Sequence, residues 1–166
     1  MKQLAASLVM FASATAMAQT PPAPPAPPAR GPALELALEA ARTALDNCSA
    51  RQQKVSVSVV DSAGVLKALL ATDGAHARGV ASSTNKAVTA LTFNSATAAL
   101  GEKAKGDPAL AARIAANPGF NARGGGVTIT VGGTLIGAIG VGGARGSDID
   151  EACALAGIAQ VQNRLQ

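Results

Sequence analysis

The stretch Gly124–Ala152, GGGVTITVGGTLIGAIGVGGARGSDIDEA, decides how this chain folds. Val127, Ile129 and Val131 alternate with Thr128 and Thr130, the period of two that turns one face of a strand toward a core. Gly132-Gly133 follows, a pair that accepts the positive φ values of a tight hairpin turn, and TLIGAIGV returns from Thr134 as a second strand. Ser147 opens a helix, its hydroxyl placed to cap the amide of Asp150 while that carboxylate reaches back.

The same stretch excludes a nucleotide-phosphate loop. Gly140-Val141-Gly142-Gly143-Ala144-Arg145 puts arginine where a dinucleotide fingerprint needs its last glycine, and no Gly-Lys-Ser/Thr follows. Asp148, Asp150 and Glu151 favour the helix dipole and repel phosphate at that end, so the acidic mouth reads as helix stabilisation. Gly137 and Gly140 sit inside a strand, where glycine marks the close approach of another backbone or of a ligand.

Working outward, Val55, Val57 and Val59 alternate with Ser56 and Ser58, a strand with one buried face. The turn residues Asp61–Gly64 and the run VLKALLA complete a first hairpin. Leu34, Leu38, Ala41, Leu45 and Cys48 recur at helical spacing over residues 33–48. A second stripe, Val80, Thr84, Val88 and Leu91, predicts a helix over 80–93 with Ser82 or Ser83 as its cap. A short helix is expected over residues 95–100, and Asp107-Pro108 opens another that Asn117-Pro118-Gly119 ends. The order helix, hairpin, helices, hairpin, helix predicts an α+β domain over residues 34–166, an antiparallel sheet with helices on its faces.

Ahead of this domain, residues 1–18 have the layout of a secretory signal peptide ending at Ala16-Met17-Ala18. Residues 19–33 form a Pro/Ala-rich linker holding seven of the nine prolines, expected to be an extended solvated tether. The protein is therefore expected to be periplasmic or secreted, without a membrane span once the signal is cleaved. Its formal charge of +4 is scattered, and there is no Trp or Tyr to stack on bases, so nucleic-acid binding is excluded. Cys48 and Cys153 suit an oxidising compartment. A disulfide between the first and last helices and two separate buried thiols are both open readings.

Three blocks, VVDSAGVLKALLATDGA, NKAVTALTF and the quoted Gly124–Ala152 stretch, resemble in order the motifs of the GlcG/HbpS haem-binding family, related to the PduO-type C-terminal domain. The resemblance implies a sheet of about five antiparallel strands with helices on both sides, assembly into a homo-oligomer, and binding of haem or, for PduO-type relatives, a corrinoid. In and beside these blocks the candidate contacts are Lys86, Thr89 and Phe93 on the second helix, the open backbone of Gly124, Gly125 and Gly126, and Gly142, Gly143 and Arg145 at the glycine turn.

Residue chemistry narrows an iron ligand. The three methionines lie within residues 1–18 and there is no tyrosine, which leaves His76, Cys48 and Cys153 as conventional donors. The resulting expectation is an exported, non-catalytic module for capture, storage or sensing of haem. The ring would enter at the seam between the second hairpin and the Lys86 helix, against bare glycine backbone. Lys86, Arg123 and Arg145 would hold its carboxylates, and His76 would ligate iron. The rival is a small enzyme using the same cleft, with Lys86 or an aspartate such as Asp61 or Asp73 as acid or base. Aspartates beside glycines are more often turn residues.

Overall fold

A computed structural model describes residues 28–166; the expected signal peptide and the first part of the linker lie outside the described residues. The strands are β1 (Ser56–Asp61), β2 (Leu66–Ala71), β3 (Gly126–Val131) and β4 (Thr134–Gly142). The helices are α1 (Leu34–Ala50), α2 (Ala77–Phe93), α3 (Thr97–Lys105), α4 (Pro108–Ala115) and α5 (Ser147–Val161), followed by a short 3-10 turn. Both hairpins form, and β1 pairs with β4 to join them in the order β2-β1-β4-β3, antiparallel throughout. The sheet has four strands, not about five. The two alternating runs at each hairpin are all the strand pattern the domain contains.

Helices cover both faces. Val55, Val57, Val59, Ile129, Ile139 and Val141 pack with Ala37, Ala41 and Ala44 of α1 and with Ala154 and Ile158 of α5. On the opposite face Val60 and Ala138 meet Ala87 and Ala90 of α2. The central strand β1 is consequently buried on both faces, which corrects the one-face reading of its serines. Ser58 escapes the cost of burial because its hydroxyl bonds those of Ser83 and Thr84, each at 2.9 Å.

The β4 glycines explain how α2 lies so close. A Cβ on Gly140 would collide with the Ser83 carbonyl oxygen and stand 2.6 Å from the Ala87 nitrogen, and one on Gly142 would stand 2.8 Å from the Gly79 oxygen and from Ser82 Cβ. The seam expected to admit a flat ring is therefore already filled by the α2 backbone, and of the two roles open to a strand glycine it is another backbone that comes close. Gly140→Ala should cost about 1–3 kcal/mol through overpacking, read as a lower urea midpoint at unchanged slope. An unshifted midpoint would reveal spare room between α2 and β4.

Three helix starts differ from expectation. α2 begins at Ala77 with His76 at its N-cap, three residues before the expected start, so Ser82 and Ser83 fall within the helix and Ser83 donates back to the Val80 carbonyl at 2.8 Å. The α5 N-cap is Gly146, with no side-chain cap from Ser147, and Asp150 turns elsewhere. α3 begins at Thr97 and runs to Lys105, longer than expected. Asp107 does cap α4, accepting from the Leu110 amide at 3.0 Å with Pro108 in the first turn.

Cys48 and Cys153 form a disulfide that joins α1 to α5. The last residues of the expected tether are docked: Ser62 donates its amide to the Arg30 carbonyl, Arg30 donates to Ser62 Oγ, both at 2.7 Å, and Pro32 is buried. No helix among the described residues is long and apolar enough to cross a membrane.

At the C-terminus Arg164 bonds Glu39 at 2.7 Å, and this bond, with a second from Gln160, holds the Glu39 carboxyl below the usual carboxylate range. A depressed carboxylate stabilises the fold above its unfolded pKa and loses that contribution as pH falls through its folded pKa. Amide protection at the final turn should thus persist near pH 6 and weaken below the ordinary glutamate range, by hydrogen exchange. Equal protection at both pH values would show that the tie contributes nothing.

Candidate ligand-binding site

β1 begins, β4 ends, and α2 and α5 both start at one pole of the domain. The loop from α4 to β3 crosses this pole under tight control. Thr89 Oγ1 accepts from the Asn121 amide at 2.8 Å, Thr97 Oγ1 donates to the Arg123 carbonyl at 2.7 Å, and the Gly126 amide donates to Thr97 Oγ1 at 2.8 Å. Gly125 and Gly126 lie so near Lys86 and Thr97 that no side chain fits there.

Lys86 reaches from α2 past the end of β4 to α5. Its ammonium donates to the Val141 carbonyl at 3.0 Å and to Asp150 Oδ2 at 2.7 Å. Both side chains are at least 95 % buried, at 3 % and 5 % exposure. The other Asp150 oxygen accepts from the Ala144 amide at 3.1 Å and so fixes the glycine turn between β4 and α5. This pair clasps the layers on the two sides of the sheet, and Lys86 is committed to it.

Three recesses open around this clasp. The largest, about 630 Å³, lies between α3 and α5. Ala98, Gly101, Glu102 and Lys105 line it from α3, and Asp148, Glu151, Ala152 and Leu155 from α5. Each set has the spacing i, i+3, i+4, i+7, so each is one stripe of a helix. Small residues in the middle of both stripes, with Ala122 and Gly124 from the loop, leave an apolar hollow whose rim is charged. Leu155 is half exposed within it.

Arg123 and Ser147 form the wall shared with a second recess of about 260 Å³. Arg78, Arg123 and Arg145 border this cleft, with Ser82, Asn121 and the Lys86–Asp150 pair. A third hollow, about 200 Å³, holds His76 with Gln52, Gln53 and Lys54, and shares Gly143 and Arg145 with the cleft. It shares no residue with the large cavity.

The expected site residues divide among these places. Gly124 and Arg123 line the large cavity, while Lys86, Gly143 and Arg145 line the cleft. His76 is exposed in its own hollow. Thr89, Gly125, Gly126 and Gly142 line none of the three and pack elements together. Phe93 stands edge-on to Phe120 with centroids 5.2 Å apart, and the Arg113 guanidinium lies 4.7 Å over its ring. Asp61 Oδ1 accepts from the Ala63 and Val65 amides, each at 2.9 Å, as a turn residue does. Sequence reasoning missed the two cavity stripes, Arg78 and Asn121. No local signal marks the cavity in advance, because its stripes mix the small residues Ala98, Gly101 and Ala152 with the charged Glu102, Lys105, Asp148 and Glu151.

A family model described as haem degrading protein HbpS-like matches residues 33–159. The chain belongs to the HbpS-like family. Among solved structures, this HbpS-like chain is similar to HbpS at 32 % identity and a TM-score of 0.73, covering 88 % of this chain and 99 % of that one. A double mutant of Streptomyces reticuli HbpS is 33 % identical with the same TM-score, covering 90 % and 98 %. A PduOC:heme complex is 25 % identical with a TM-score of 0.72, covering 78 % and 94 %. No curated protein matches the chain. The HbpS-like match spans every residue that lines the three recesses.

Proposed function

We propose that this HbpS-like protein binds haem, and that the ring occupies the apolar cavity between α3 and α5. The observation that carries this reading is the cavity itself. At about 630 Å³ it falls in the range of roughly 300–1,000 Å³ usual for ligand sites of this kind. Ala98, Gly101, Ala152 and Leu155 suit a flat hydrophobic ring, and Arg123 at the edge suits a carboxylate, while Lys105 is paired with Glu102 at 2.7 Å. The similarity to a PduOC:heme complex supports haem, and nothing supports the corrinoid alternative.

Iron ligation fits less well. The cavity lining has no His, Cys, Met or Tyr, both cysteines are in the disulfide, and His76 lies two recesses away. We therefore read the site as holding the ring by apolar contact and charge, with no axial bond from the same chain's His76. Capture without chemistry is favoured over the enzyme reading because Lys86 is committed to Asp150 and Asp61 to a turn.

Titration of the purified protein with haemin should give a saturable Soret shift. Leu155→Asp, which sets a charge against the ring, should weaken it at least about tenfold, while His76→Ala leaves it unchanged. Loss of the shift in His76→Ala alone would move the ring to the His76 hollow, and no saturable shift in the wild type refutes haem binding.

Export to a periplasm or beyond belongs to the same proposal and rests on residues 1–18. So does a homo-oligomer, which the exposed Val65, Leu66 and Leu69 at the edge strand β2 support.

A further inference from the structure

We propose that the cleft bordered by Arg78, Arg123 and Arg145 is a receptor for a small free oxyanion, a dianion of dicarboxylate or phosphate chemistry, distinct from any ring in the neighbouring cavity. Three guanidinium groups come from three separate elements, the first turn of α2, the α4–β3 loop and the β4–α5 turn, and border one recess. None of the three forms an ion pair with a carboxylate among the described residues. The one carboxylate in the lining, Asp150, is already neutralised by Lys86 and spends its second oxygen on the Ala144 amide. The recess therefore carries three uncompensated positive charges and no available negative one.

Neutral donors complete it. Ser82 Oγ accepts from Asn121 Nδ2 at 3.1 Å, which leaves its own proton to donate. Ser147 Oγ accepts from Arg123 Nε at 3.4 Å, with the same consequence, and the remaining nitrogens of Arg123 stay available. At about 260 Å³ the cleft lies below the roughly 300 Å³ at which sites for larger ligands begin. A tetrapyrrole does not fit, whereas an ion of a few heavy atoms does. Planar guanidinium forks from several directions match the paired oxygens of carboxylate or phosphate and favour two charges over one.

A carboxylate could reach the cleft from either of two sources, a free acid or the propionate edge of a ring seated next door against Arg123. Calorimetric titration of haem-free protein with malonate, inorganic phosphate and acetate separates them. The expected result is saturable binding of malonate or phosphate, at least about tenfold tighter than acetate. Arg78→Gln and Arg145→Gln should each weaken it by about tenfold to a hundredfold at unchanged melting temperature. Both side chains are exposed, so the fold does not depend on them. Arg145→Lys, which keeps the charge and loses the fork, should fall between. If no small anion binds saturably while haemin affinity drops in the same variants, the cleft serves the ring's propionates and the proposal is overturned. It is equally overturned if neither ligand responds. Anion binding without haemin binding would leave it standing and defeat the haem reading alone.

Discussion

Lys86→Met destabilises the domain by about 3–5 kcal/mol, because it strands the Asp150 carboxylate in a site it occupies only as half of an ion pair. The pair is buried at both ends, and Asp150 has a single further donor, the Ala144 amide. Removing the ammonium leaves one lone charge facing the end of β4 and the glycine turn. Lys86→Met combined with Asp150→Asn should recover most of the loss, since the amide oxygen still accepts from Ala144 and no bare charge remains. Urea unfolding of the four proteins in the cycle measures this. A single-variant cost below about 1 kcal/mol would mean that Asp150 is solvated and that the clasp is a surface pair. The consequence for ligands is direct, because the same two side chains line the cationic cleft and tie the middle of α2 to the start of α5.

The disulfide has an effect of similar size by another route. Cys48 and Cys153 are 105 residues apart, and in the chain-entropy model closing a loop of about 100 residues contributes about 4–5 kcal/mol by restricting the unfolded chain. Cys48→Ala with Cys153→Ala, or full reduction, should lower the melting temperature on the order of 10–20 °C for a domain of this size. Calorimetry with and without reductant reads the effect, and matching melting temperatures would show that the bond contributes nothing. Haemin affinity should fall together with stability, because the bridge anchors the helix that carries Asp148, Glu151, Ala152 and Leu155.

Much of the architecture was legible because it rests on local rules. The strands at Val55–Val59 and Val127–Val131, the Gly132-Gly133 turn and the Asp107-Pro108 helix start are each decided by a few neighbouring residues, and each of these elements forms where it was read. The failures come where a partner distant in sequence decides. Ser56 and Ser58 look solvent-facing until α2 lies over them. Lys86 reads as an available cation until Asp150, 64 residues away, is brought to it. The β4 glycines signal close approach without saying of what, and the α2 backbone is the answer. The large cavity was invisible because small residues on two helices are unremarkable in sequence and make a hollow only when the stripes face each other.

The central claim is where the ring sits, and amide chemical-shift mapping with zinc protoporphyrin, a diamagnetic stand-in for haem, tests it most directly. The account predicts ring-current shifts concentrated at Ala98, Gly101, Ala122, Ala152 and Leu155, with Gly137 and Gly140 of β4 undisturbed. Shifts centred on β4 and the facing turns of α2, with the α3 and α5 stripes silent, would contradict it.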